Sequence, residues 1–177
     1  MHALLIKLEG GDRRSIGRSE EVVADVLENP ALFSVLATGL SSNDAIVRMR
    51  AADAMEKISL IHPEYLRPHK KLLIGLAAKS GQKEVRWHLA QMLPRLKLGP
   101  KDVQQVVGIL LGYFGDSSSI VKTLAMQALA DIARQTPELR PSVLGHLEEL
   151  TVTGTPAMRA RGRKLCAEME RLSRSSS

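Results

Sequence analysis

Apolar residues recur along this chain at helical spacing in four segments that can be laid over one another. Residues 47–58, 85–96, 121–132 and 158–169 align at offsets of 38, 36 and 37 residues. Apolar or small residues occupy the first, fifth, eighth, ninth and twelfth positions of each segment, a one-sided stripe of period 3.6. The fifth column is Ala51, Leu89, Ala125 and Gly162, and the eighth is Ala54, Met92, Ala128 and Leu165. Small residues at such positions let helices approach closely. Strand-like alternation is absent from any stretch of note, so the pattern predicts an all-α chain.

The breaks between the stripes are as regular as the stripes. Four X-Pro pairs, Asn29-Pro30, His62-Pro63, Gly99-Pro100 and Thr136-Pro137, lie 33, 37 and 37 residues apart. Proline disfavours helix in the residue before it and suits the first turn of a new helix, so each pair ends one helix and starts another. A second set of turn-formers falls between the prolines: residues 41–44, Ser80-Gly81, residues 115–119 and 153–155. Each period therefore holds two helices. The first helices carry apolar stripes at residues 32–36, 72–76, 106–110 and 143–147. Pro68 and Pro141 follow their repeat-opening prolines by five and four residues, which predicts a short turn before the main helix in those two repeats.

Paired helices of this period, with a basic residue second in the second helix and an Ala-rich stripe after it, resemble HEAT repeats over residues 29–172. The resemblance implies a right-handed α-α superhelix (solenoid) of about four helix pairs, at residues 29–62, 63–99, 100–136 and 137–172. It implies a scaffold or adaptor that binds on a concave face lined by second helices. The family often sets an Asp in the inter-helix turn against an Arg or Lys early in the second helix, forming a ladder. Arg48, Arg86, Lys122 and Arg159 match the basic position. Asp44 matches the acidic one, whereas the corresponding places hold Gln82, Ser118 and Thr155. The basic column is thus read either as a structural or solvated ladder or as a binding stripe.

Residues 1–28 are expected to cap the first repeat, with a helix from Ser19 to about Glu28 whose first turn carries Glu20 and Glu21. The whole of 1–172 reads as one repeat domain, and residues 173–177 as a frayed tail. The segment from Gly10 to Arg18, with Gly10, Gly11, Arg13, Arg14 and Arg18, superficially resembles an anion loop. It lacks the glycine spacing and the terminal Lys-Ser/Thr of a phosphate-binding loop.

Composition narrows the chemistry. With 177 residues, 44% hydrophobic and 25% charged, the chain has ordinary globular usage. One cysteine, Cys166, excludes an intrachain disulfide and a cysteine-based zinc site, and its column marks it as a small core residue. The longest late apolar run, residues 106–112, is far shorter than the roughly 20 residues of a membrane span. A soluble cytoplasmic protein is expected. No nucleophile elbow, carboxylate pair or metal constellation is visible, so no catalytic, cofactor or metal site is expected, and His62 and His69 are separated by prolines.

The net charge is +6, unevenly spread. Between Arg67 and Lys101 nine basic residues face Glu84 alone, a balance of +8, whereas residues 1–28 carry four basic and six acidic side chains. Such a centre is either a solvated face or a site for an acidic or phosphorylated protein segment, with a nucleic-acid backbone as the runner-up partner. Trp87, between Arg86 and His88, is either a gap-filler or a binding anchor. The expected function is a non-catalytic protein-interaction module, its partner docking around Arg48, Arg86, Trp87, Lys122 and Arg159. HEAT-like DNA glycosylases need aromatics and a carboxylate around an extruded base; Trp87 and Glu84 are the candidates for that lesser reading.

Overall fold

A computed structural model describes residues 2–12 and 15–174. Arg13, Arg14 and the tail residues Ser175, Ser176 and Ser177 lie outside the described residues. The protein is all-helical, and the described residues contain no strand. It forms two compact units, Met1–Lys97 and Leu98–Ser177.

The first unit holds α1 (Ala3–Ile6), α2 (Ser19–Glu28), α3 (Leu32–Thr38), α4 (Ala45–Ile61), α5 (Lys70–Lys79) and α6 (Lys83–Met92). The second holds α7 (Pro100–Gly112), α8 (Ser119–Gln135), α9 (Arg140–Thr153) and α10 (Pro156–Arg174). The local signals explain where these begin. Asp44 caps α4 by accepting from the Ile46 amide at 2.7 Å, and Ser118 caps α8 by accepting from the Val121 amide. Pro63 and Pro137 each open a short 3-10 turn, Pro63–His69 and Pro137–Leu139, before α5 and α9 start.

Two ends differ from the pattern. The α6 helix stops at Met92 and tightens into a 3-10 turn, Leu93–Arg95, because Pro94 has no amide to continue the ladder. The stripe persists through the turn, and Leu93 and Leu96 are still buried. At the other terminus α10 runs on to Arg174, past the residue where fraying was expected to begin.

The apolar columns form the cores of their units. Val47, Val85, Val121 and Met158 are buried, as are Ile58, Leu96, Ile132 and Met169 at the twelfth position. The small fifth column and the eighth are buried throughout; in the ninth only Cys166 is half-buried. Burying each such Leu, Ile, Val or Met contributes about 1.5–3 kcal/mol, the main force holding each helix on its neighbours. Gly162 shows why the fifth column is small. A Cβ there would fall well inside 3.0 Å of Thr151 Oγ1, so α10 lies almost against α9 at that point.

Candidate functional site

The first unit contains a buried cation that the periodicity does not announce. Arg50, in the fourth position of the α4 register, is only 2% exposed although its helical neighbours are apolar. Its guanidinium reaches back more than thirty residues to the segment between α1 and α2. Nη1 donates to the carbonyls of Leu8 (2.9 Å), Glu9 (3.1 Å) and Gly10 (2.7 Å), Nε to Ser15 (3.1 Å) and Nη2 to Asp12 (3.4 Å). Five carbonyls of one loop thus surround one side chain.

Glycine makes that wrap possible. Gly10, Gly11 and Gly17 all have positive φ, at 73°, 74° and 56°, the left-handed region that other residues rarely adopt. A Cβ on Gly17 would come within 2.6 Å of Arg50 Cζ, and one on Gly11 within 3.1 Å of Nη2. The glycine-rich segment is therefore the inverse of an anion loop, presenting carbonyl oxygens to a cation from its own chain. Ser19, expected at the start of α2, is its first residue but caps nothing; its buried hydroxyl donates to Asp53 Oδ2 at 2.7 Å.

Beside this clamp lies a cleft of about 240 Å³ lined by Ser15, Ile16, Met49, Arg50, Asp53, Trp87 and His88. Its walls come from the loop, from α4 and from α6. Trp87 is half-buried, with its indole edge-on to the His88 ring at 5.8 Å between centroids. Ile16 is 48% exposed at the mouth, and Met49 is buried in the wall. Asp53 is held on one oxygen: Oδ2 accepts from Ser19 and from Lys57 Nζ (3.0 Å), while Oδ1 accepts no hydrogen bond among the described residues. Burial pushes the Lys57 ammonium down, but its pairs with Glu20 and Asp53 outweigh that and leave its pKa above the ordinary value.

His88 is the least satisfied group here. Its Nδ1 is buried without a hydrogen-bond partner among the described residues. Burial lowers its pKa, opposed by the charges of Asp53 and Glu56 and assisted by Lys57. A histidine whose folded pKa is depressed contributes stability above its unfolded value of about 6.5, and that stability is lost as pH falls through it. The urea midpoint of the wild type should therefore drop between pH 7 and pH 5 by more than that of His88→Gln. An equal drop in both proteins removes His88 as the cause.

The expected site residues are dispersed. Arg48 donates through Nη1 to the Ser42 and Asn43 carbonyls (2.7 and 3.0 Å) and through Nε to Gln82 Oε1 (3.0 Å). Gln82 in turn donates to the Ala45 carbonyl at 2.8 Å, so an amide makes the rung for which a carboxylate was expected. Arg86 donates to the Ser80 carbonyl at 2.6 Å. Neither arginine lines the cleft; Trp87 does. In the second unit Lys122 is half-buried on α8, and Arg159 is exposed on α10. Within the basic stretch, Arg95 is tied to Glu56 Oε1 (2.6 Å) and Ser59 Oγ (2.7 Å). Glu84 is buried in the first turn of α6 and is not among the cleft residues.

Arg50, Asp53, Met49 and Ile16 went unread in the sequence. The signal available was an arginine inside an Ala-rich stripe and three glycines within eight residues, but nothing local links the two. His62 stacks on Tyr65 at 4.7 Å, and His69 lies 3.3 Å from Ser34 Oγ. Among the described residues no group of three or more metal-ligating side chains occurs, and no helix is long and apolar enough to cross a membrane. Comparison with protein-family models and with curated protein sequences finds no match for the chain.

Proposed function

We propose that this chain is a HEAT-like right-handed α-solenoid acting as a non-catalytic protein-interaction module, and that its partner docks at the Trp87 cleft. The repeat reading is supported by the four aligned second helices, their buried columns and the Arg48–Gln82 rung. The docking reading is carried by one observation: a half-buried tryptophan walls an open, mainly apolar cleft, the usual setting of an interface anchor. A cytoplasmic setting suits the single thiol, Cys166.

The cleft favours a protein over nucleic acid. Phosphate binding needs donors pointed at solvent, and the cleft's own cation, Arg50, is turned onto five backbone carbonyls. Arg48 and Arg86 likewise serve the turns that precede α4 and α6. The carboxylate named for the glycosylase alternative, Glu84, is not among the residues that line the cleft with Trp87.

Co-purification from the native cell tests the proposal. Trp87→Ala, checked for an unchanged circular dichroism spectrum, should weaken partner capture about 30-fold, the loss expected of an anchor worth about 2 kcal/mol. Full retention of every partner overturns the docking reading. A shift with DNA or RNA that collapses steeply with salt favours the nucleic-acid alternative.

A further inference from the structure

We infer that the Trp87 cleft receives one basic side chain, lysine or arginine, from a protein partner. The inference rests on the docking reading above and adds what the occupant must be. The cleft is short of donors and has an acceptor to spare. Asp53 presents Oδ1 without a hydrogen bond among the described residues, and its side chain is only 15% exposed. The carboxylate is already held in place, because Ser19 and Lys57 both take Oδ2. A guest donor at Oδ1 therefore meets an acceptor with little rotational freedom left to lose.

The walls fit the rest of such a side chain. Lysine and arginine carry a long apolar stem behind a charged head, and Ile16, Met49 and the Trp87 indole supply apolar surface for the stem. An aromatic ring also attracts a cation directly, and tryptophan does so most strongly. A space of about 240 Å³ takes one large side chain rather than a length of backbone.

The neighbouring charges do not reverse this. Arg50 lines the cleft, but its hydrogen bonds run into the loop carbonyls. Lys57 is shared between Asp53 and Glu20. An acidic guest would meet the Asp53 carboxylate, whereas the Arg50 guanidinium directs four of its five N–H groups to loop carbonyls. The expectation of an acidic partner, drawn from the basic stretch of the sequence, does not apply to this cleft.

Trp87 is the only tryptophan in the sequence, so its emission reports on the cleft alone. The full chain should be titrated with the tripeptides acetyl-Gly-X-Gly-amide, in which X is lysine, arginine, norleucine or glutamate. The lysine and arginine peptides are expected to shift the emission saturably, at least tenfold more tightly than the other two. Asp53→Asn should weaken those two about tenfold and leave norleucine unchanged. Because Asp53 also holds Ser19 and Lys57, the wild-type comparison of lysine with norleucine stands as the decisive measurement should that variant unfold.

Equal binding of norleucine and lysine overturns the basic-side-chain inference but leaves the docking reading standing. Tighter binding of glutamate overturns it in favour of an acidic guest. No response to any peptide also overturns it. The docking reading falls separately, only if Trp87→Ala keeps every partner.

Discussion

Arg50→Met is expected to destabilise the first unit by about 3 kcal/mol, a large share of the 5–15 kcal/mol that holds a typical domain together. Methionine keeps the length and the apolar stem but removes every donor. Five carbonyls then lose the guanidinium, though the Asp12 carbonyl still accepts from the Ser15 amide at 3.3 Å, and Leu8, which is fully buried, has its carbonyl furthest from replacement by water. An unsatisfied buried polar group costs about 1–3 kcal/mol. Two effects limit the loss: the exposed part of the loop can open to water, and the guanidinium no longer has to be desolvated. The clamp still prevails, because the loop's own bonds among the described residues, Ser15 N–H to the Asp12 carbonyl and Gly17 N–H to Ser15 Oγ, span only two or three residues and do not hold it against α4. Urea denaturation measures the loss, and limited proteolysis should cut residues 8–17 first. Arg50→Lys should recover only part of the stability, since an ammonium cannot reach carbonyls on several sides in the manner of a planar fork. A change below about 1 kcal/mol in Arg50→Met would show that the loop closes for another reason.

The second large effect lies in the other unit. Gly162→Val should cost about 3 kcal/mol, because its Cβ would overlap Thr151 Oγ1 and press on Met126 Cε at 3.2 Å. The methionine end is flexible and yields; the threonine is short and its hydroxyl donates to the Leu147 carbonyl at 2.7 Å. Gly162→Ala separates packing from propensity. Alanine gains about 1 kcal/mol over glycine inside a helix, against an overpacking cost of about 1–3 kcal/mol. Alone it should therefore destabilise by about 1 kcal/mol, and in a Thr151→Ala background it should stabilise. Thermal melts of the four proteins in this cycle decide the matter. Additive effects would mean that α9 and α10 do not meet at this pair.

Both effects turn on residues whose importance the sequence shows unequally. Gly162 was legible, since it sits in a column of small residues at a core position, and close helix approach is what such a column encodes. Arg50 was not. By pattern it is a charge at a position where helices commonly meet solvent, and its partners lie about 40 residues away in a glycine-rich loop. Trp87 was picked out as a candidate anchor, but the company expected for it was the arginine column. The cleft instead joins it to Met49 and Asp53 on α4 and Ile16 from the loop.

The amino-acid sequence by itself determined the all-helical character, the helix starts at Asp44, Pro100 and Ser118, and the identity of the buried columns. These follow from local sterics and from the hydrophobic effect, which is non-directional and so can be read from which side of a helix is apolar. Only the tertiary structure decided where Arg50 goes, which oxygen of Asp53 is left open and what surrounds Trp87. Those outcomes rest on hydrogen bonds and ion pairs, which depend on distance and direction between groups 34 to 42 residues apart. A period of 3.6 residues names the face of a helix. It does not say which loop will fold across it.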